Sequence, residues 1–446
     1  MLGKGFVAPS DTLYIAGIGV GGKGTSDLTG FAKNPKAKIA FLCDVDDRMA
    51  VESVKNFPDA RYYKDFRIML DKEHKRIDAV SISTPDHTHA VAALAAIERK
   101  KHVYVQKPLT HDIYEARMLT EAARKYKVVT QMGNQYGSAD HVRVAKEWID
   151  AGLIGDVSRV DTWTNRPVWP QGIPTPSGTF DVPKELDWDL WLGPARYLDF
   201  NPAYVPANWR GWWAFGTGAL GDMGCHIMDA PFRILPIDFP TEVECSTTTA
   251  WEGFFKEANF QDSCPSSSII HMKFPRKDGK GEIKFTWMDG GLLPERPEEL
   301  LPEEQLGEGG YIFYGTNGKL MGYHTRPPVL LPTSRMKDVT LPEPSIPRIP
   351  GAQAGHYTEW VDACLRGFGK MQLSSSFDYA GPFTEAVLMG NLAIRSYQLQ
   401  QLSADGKDKT YPGRKKLLWD AKNMKITNFD EANTFVKREY RAPWTL

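Results

Sequence analysis

The sequence predicts an α/β protein with two parts: an N-terminal doubly wound parallel sheet, then an α+β domain built on a large, mainly antiparallel open sheet. Three observations predict it. Short apolar runs alternate with helical stretches through the first 135 or so residues. Those runs are β-branched and almost continuously apolar, as strands buried on both faces are. Further on, strands follow one another without helices between them, which favours antiparallel pairing. The expected domains are 1–135 and 136–446, with the last helices packing back on the first domain.

The first-domain strands are read at 13–19 (LYIAGIG), 38–44 (KIAFLCD), 78–84 (DAVSIST), 102–106 (HVYVQ) and 128–132 (VVTQM). Between them, 115–126 carries Ala116, Leu119, Ala122 and Ala123 on one helical stripe. Strands alternating with helices mean βαβ units and a parallel sheet. The pattern then changes. A strand at 157–164 precedes a Pro/Trp-rich region, and a helix is expected after Gly221. Strands follow at 242–249, 267–274, 282–288 and 311–314, the last opening a hairpin with Asn317-Gly318 at its turn. The acidic 292–310 stretch reads as a solvated loop and the proline-rich 325–355 stretch as an extended connector. Helices at 356–366 and 382–399 complete the chain.

With 446 residues the chain is long for one domain and natural for two. Lys+Arg total 54 against 55 Asp+Glu, a net charge of -1, which argues against binding nucleic acid through its phosphates. No apolar run reaches the roughly 18 residues of a membrane span. Five cysteines do not make a disulfide framework. Residues 1–11 hold no apolar core of export-signal length, and they also read as the remnant of a signal already removed. The expected location is periplasmic in that case and cytoplasmic otherwise.

Gly17-Ile18-Gly19-Val20-Gly21-Gly22 fits G-x-G-x-x-G after a strand and before a helix, the context that gives this motif meaning. Gly17 permits the tight turn, Gly19 the approach of a pyrophosphate, and Gly22 close helix–strand packing. Asp44 ends the second strand, 22 residues beyond Gly22. A carboxylate there accepts from ribose hydroxyls and repels a 2′-phosphate, so NAD is favoured over NADP. Gln106-Lys107-Pro108 directly follows another parallel strand, at the carboxyl edge where such sheets build their sites. Lys107 there is either a surface lysine or one placed beside a nicotinamide ring, where it shares a proton with a reacting oxygen. In "GALGDMGCHIMD", Asp222 and His226 fall one helical turn apart. They are either a capping carboxylate and a packed imidazole, or a proton acceptor with a carboxylate beside it. No ligand set at zinc spacing accompanies them, so no metal is expected.

Taken in order, the Gly-rich turn, "CDVD", "STPDHTHA", "VYVQKPLT" and "GALGDMGCHIMD" resemble the Gfo/Idh/MocA family of sugar and polyol oxidoreductases. The resemblance covers most of the chain, closely in the first domain and more loosely in the second. It implies a Rossmann domain for NAD and catalytic roles for Lys107, Asp222 and His226. It also implies that Thr84, Pro85 and His89 lie along the cofactor, with Gln106 beside it and Asn134 at the nicotinamide. His87 and His89 are read as helix-start and packing residues rather than catalysts. Gln106 departs from the family's usual glutamate. The Trp-rich region resembles a subgroup common in polysaccharide-degrading bacteria, whose members often carry export signals.

Three functions follow as expectations: an NAD-dependent dehydrogenase of a sugar, glycoside or polyol; a glycosidase or lyase working by oxidation and elimination; and a non-catalytic nucleotide-bound sugar sensor. Self-association into a dimer or tetramer through the second-domain sheet is expected as well. Seven of the 13 tryptophans lie between Trp163 and Trp213, just ahead of Asp222. Trp188 and Trp191 are expected to pack. Trp169, Trp209 and Trp213 are candidate walls for sugar C–H faces, with Asn165, Arg166 and Arg210 for hydroxyls.

Overall fold

The structure is a computed structural model that describes residues 11–403, 405 and 408–446. Residues 1–10, most of the stretch read above for an export signal, lie outside those residues. Six parallel strands form the first sheet: β1 (Leu13–Ile18), β2 (Ala37–Cys43), β3 (Arg61–Tyr63), β4 (Ala79–Ile82), β5 (His102–Val105) and β6 (Thr130–Met132), in spatial order 3-2-1-4-5-6. Ala16, Val80, Ile82, Val103 and Val105 are fully buried in it, which is what the continuous apolar runs require. The helices of this half are α1 (Lys23–Ala32), α2 (Asp47–Asn56), α3 (Phe66–Glu73), α4 (His89–Glu98) and α5 (Ile113–Tyr126). The strand order reverses beside β1, so the crevice above its carboxyl end is where a ligand belongs.

The remainder begins with α6 (Asp140–Asp150), β7 (Val157–Thr164), α7 (Trp188–Leu192), α8 (Gly218–Ile227) and α9 (Asp229–Ile234). Strands β8 (Glu242–Thr247), β9 (Ala250–Gly253), β10 (Lys256–Ala258), β11 (Ser268–Pro275), β12 (Glu282–Met288), β13 (Gly309–Gly315), β14 (Gly318–Gly322) and β15 (Val329–Leu331) follow. The chain continues through α10 (Ala352–Arg366), α11 (Phe377–Gln398), β16 (Gln401–Leu402), β17 (Lys409–Thr410), β18 (Leu417–Asp420) and β19 (Lys425–Ile426). Nine of these strands form one sheet in order 15-14-13-7-12-11-8-18-19. Only the β7–β12 pair within it is parallel. The large, mainly antiparallel sheet expected from the sequence is therefore present.

Several boundaries differ from expectation for physical reasons. Gly315 pairs with Gly318, so the β13–β14 turn is Thr316-Asn317, one residue before the Asn-Gly pair. Helix α11 starts at Phe377 and carries Pro382 inside it. The 325–355 connector contains β15, and the 292–310 loop is more than a solvated loop. Its Leu300 and Leu306 are buried against Trp163, Ile312 and Met321, covering the outer face of β7, β13 and β14.

Two C-terminal helices tie the halves together. In α10, Trp360 is fully buried 4.8 Å from Phe31 of α1, in a cluster with Leu13, Ile15 and Leu28. Truncating an aromatic side chain so enclosed costs about 3–5 kcal/mol. In α11, Glu385 receives two bonds from Arg117 of α5, both 2.7 Å, while Asn391 Nδ2 donates to the carbonyl of Thr217 just ahead of α8. Helix α8, on one side of that crevice, is thus held against the first domain.

Candidate active site

One cleft of about 580 Å³ opens above the carboxyl ends of β1, β2, β4 and β5. Gly19, Gly22, Asp44, Thr84, Pro85, Gln106 and Lys107 line it from the first half, and Trp209, Arg210, Asp222 and His226 from the second. Residues more than a hundred positions apart are thereby brought to one place. The glycine turn is shaped for a pyrophosphate. Gly19 has φ +73, and a Cβ there would lie 2.8 Å from the backbone of Ser83 and Thr84. Gly22 supplies no side chain to cap α1; the Gly24 amide bonds the Gly21 carbonyl at 2.9 Å, and no side chain stands between an anion and the helix's positive end. The packing role assigned to Gly22 belongs elsewhere. A Cβ on Gly22 meets nothing within 4 Å, whereas one on Gly24 would sit 2.0 Å from the Gly19 carbonyl oxygen. Gly22 is required instead by its φ of +52.

Asp44 accepts from the amides of Val20 at 2.8 Å, Gly21 at 3.3 Å and Asp46 at 3.1 Å. Burial nonetheless raises its pKa, against the pull of those donors. It clamps the glycine turn and still presents a carboxylate to the cleft. These donor and acceptor groups fit the phosphates and ribose of NAD.

At the other end, Lys107 Nζ donates to both Asp222 Oδ1 and the Asp222 carbonyl at 2.8 Å. Arg210 Nε reaches the same Oδ1 at 3.4 Å. Despite burial, these two cations hold the Asp222 carboxyl below its usual range. Asp222 therefore pairs across the cleft with Lys107 instead of orienting His226, the arrangement expected from their one-turn spacing. Burial drives the His226 pKa well below its ordinary value, with Lys107 and His324 pushing the same way. Its Nδ1 has no protein hydrogen-bond partner.

The ring of His226 meets Tyr136 edge-on at 5.6 Å and stacks on His324 at 6.0 Å, and Tyr136 is also edge-on to His324 at 5.0 Å. Burial lowers the His324 pKa to about 4. Sequence reasoning missed Tyr136 and His324. His324 lies in the connector after β14, 98 positions from His226, and no local spacing announces it.

Other candidates sit behind or beside the cleft. The ring nitrogens of His89 lie 2.9 Å from the carbonyl oxygens of Thr84 and Pro108, tying two cleft loops together from below. Asn134 is fully buried and donates to Asp229 at 2.9 Å, away from the lining. Gly17 lies within β1. Trp213 is a core residue, 6% exposed, whose Nε1 donates to Gln398. Asn165, Arg166 and Trp169 do not line the cleft. Trp169 flanks it, with the Arg210 guanidinium 5.9 Å from its ring and 4.3 Å from that of Trp209. Trp188 and Trp191 stack at 4.7 Å as expected of packing residues, but Trp191 also lines the cleft.

Two family models match the chain. One, described as an oxidoreductase family with an NAD-binding Rossmann fold, covers 13–134. The other, described as that family's C-terminal alpha/beta domain, covers 141–252. Levoglucosan dehydrogenase of Pseudarthrobacter phenanthrenivorans is 27% identical over 189 residues, 42% of this chain and 40% of that protein. A glycosyl hydrolase family 109 protein of Shewanella pealeana is 29% identical over 164 residues, 34% of this chain and 35% of that protein. The chain thus aligns with less than half the length of either relative. Among solved structures, the WlbA dehydrogenase of Bordetella pertussis in complex with NADH and UDP-GlcNAcA shares the fold with a TM-score of 0.56 at 16% identity, over 85% of this chain and 95% of that one.

The substitution at position 106 has a structural partner. Gln106 Nε2 donates to Asp27 Oδ2 at 2.7 Å, and Asp27 also accepts from Ser83 and Tyr357 and pairs with the Lys23 ammonium. A glutamate there would add a second carboxyl beside one that Lys23 already pairs, and two such groups sharing one cation do not ionise together cheaply. Gln106→Glu is expected to lower Tm by several degrees at pH 8 and by less at pH 5, where the introduced carboxyl takes up a proton more readily. Thermal denaturation at the two pH values measures this, and an equal effect at both would refute it.

Proposed function

The chain belongs to the Gfo/Idh/MocA oxidoreductase family, and from that premise we propose that it transfers a hydride between NAD and a secondary hydroxyl of a sugar, glycoside or polyol. One observation carries the proposal: Lys107, Asp222 and His226 line the same cleft as Gly19, Gly22 and Asp44. NAD, when bound, supplies the nicotinamide ring as hydride acceptor. The rest is the work of this chain's residues.

His226, kept neutral by burial and by the nearby Lys107 charge, accepts the hydroxyl proton. Lys107, fixed by Asp222, donates a hydrogen bond to the same oxygen and stabilises its developing charge. Arg210 and Trp209, in the cleft lining, face the remaining hydroxyls and C–H faces, and Tyr136 and His324 pack against the His226 ring.

A second reading has support from the likeness to a glycosyl hydrolase family 109 protein. A ketone beside a carbon next to the glycosidic centre acidifies that carbon's C–H, so the aglycone leaves by elimination and the ketone is later reduced. Release of aglycone without net NADH identifies this course, and accumulation of NADH identifies a plain dehydrogenase.

We further propose self-association through the part of the large sheet's outer face that the 292–310 loop leaves open, where His271, Lys273 and Lys284 lie on β11 and β12. A light-scattering mass of one chain would remove that proposal.

Lys107→Ala and His226→Ala are each expected to reduce kcat by at least about a hundredfold, in the range of lost proton transfer or charge stabilisation. NAD affinity should remain. Near-normal turnover in both variants across a glycoside panel would sink the assignment.

The pH dependence follows from the depressed His226 pKa. A base is active when unprotonated, and lowering its pKa extends that form to lower pH. The kcat/KM profile should therefore stay level through the ordinary histidine value of about 6.5 and fall only at lower pH. An acid limb centred near that value would contradict His226 as the base in this environment.

A further inference from the structure

We propose that Trp444, at the end of the chain, forms the outer wall of the adenosine half of the NAD site. The inference rests on the reading of this cleft as the NAD site. The lining residues have an order. Lys107, Asp222 and His226 mark the reacting end, and the glycine turn marks the pyrophosphate. Asp44, at the carboxyl end of β2, marks the adenosine ribose. Asp65 and Phe66 line the cleft at the start of α3, after β3, and Trp444 lines it with them.

Trp444 is 8% exposed and lies 6.0 Å from the Phe66 ring. The Arg67 guanidinium sits 4.4 Å from the Trp444 ring and is itself held by Asp65 at 2.7 Å. A large aromatic ring at this end of a dinucleotide cleft is suited to a purine, whose π-face it can stack on or edge against.

The tail that delivers Trp444 is anchored by charge. Arg438, its side chain 12% exposed, donates to Glu115 and to the His87 carbonyl. Tyr440 OH donates to Glu115 at 2.8 Å, and Arg441 donates to the Gly193 carbonyl at 2.9 Å. The Trp444 amide closes a turn on the Arg441 carbonyl. Chain ends are ordered where they are tied down, and these bonds fix the one ring of the tail that reaches the cleft. Packing on Phe66 alone would explain its burial but not its place in the lining.

The test uses the full-length protein and calorimetric titration of NAD and of ADP-ribose, which lacks the nicotinamide. Trp444→Ala is expected to weaken both about tenfold to a hundredfold, the loss that follows removal of one base–aromatic stack. The factor should be the same for both ligands, and Trp444→Phe should restore most of it. Unchanged ADP-ribose affinity, or a loss confined to NAD, would overturn the inference. Should Trp444→Ala fail to fold, hydrogen exchange on the unaltered protein decides. ADP-ribose should slow exchange in the peptide spanning 438–446, and equal exchange with and without it overturns the inference. A wild-type protein that binds neither ligand refutes the NAD reading itself, whereas binding that is indifferent to Trp444 refutes only the role of the tail.

Discussion

The ion pair between Lys107 and Asp222 is the constraint on which the site depends. Lys107 leaves the end of β5 in the first domain, and Asp222 sits on α8 in the second. Their 2.8 Å contact therefore joins the two halves within the cleft itself, in addition to the helices that tie them together outside it. At an effective dielectric of about 20 such a pair attracts by ~6 kcal/mol. Desolvation takes back much of that, yet removing one partner of a buried pair costs about 3–5 kcal/mol because the other charge is stranded. Arg210 adds a second cation to the same oxygen, and with Lys107 it holds the Asp222 carboxyl below its usual range despite burial. The environment that makes Lys107 a donor makes His226 a neutral base. Burial and the Lys107 charge together push the His226 pKa well below its ordinary value.

Much of the first domain was legible in the sequence because its signals are local. Buried parallel strands are continuous apolar runs, and the glycine turn needs its residues within a few positions of each other. Strand β3 escaped because its three residues are half-buried or exposed, so they leave no apolar run. In the second domain the strands were visible but their neighbours were not. Nothing in 157–164 or 282–288 announces that these two strands alone pair parallel, since that follows from which edge is free when they dock. The site divides in the same way. Lys107, Asp222 and His226 stand in short motifs. Asp27, which explains Gln106, lies 79 positions from it, and the tail residue at the far end of the cleft has no motif at all.

The tryptophans show why composition identifies a region sooner than a role. Trp188 and Trp191 stack on each other, and Phe215 sits edge-on to Trp191 at 4.8 Å, so this part of the insertion has its own small core. His87 joins that core to the first domain, its Nε2 lying 2.9 Å from the Trp191 carbonyl oxygen. Burial holds the ring's pKa near 3, so it works as a neutral strut. The same packing presents Trp191 and Trp209 as cleft wall, whereas Trp213, only four residues on from Trp209, turns into the interior. A ring's role depends on which side of this core it falls, and sequence spacing does not contain that information.

The end of the chain is bound into this arrangement from the opposite direction. Asp112 and Glu115 form the capping box of α5, the helix that follows the Lys107 loop. Both carboxylates are buried, and burial together with the neighbouring Glu115 raises the Asp112 pKa. Two like charges so enclosed need a cation, and Arg438 supplies it from more than 300 residues away. Without that guanidinium, one of the two would be pressed to take up a proton and the cap would weaken at the start of α5, four residues beyond Pro108. A tail held by such a pairing is a structural part of the first domain, although the sequence places it more than 300 residues from α5. It follows that the loop carrying Lys107 is supported from two sides that the sequence keeps far apart: Asp222 across the cleft, and Arg438 beneath the helix that follows.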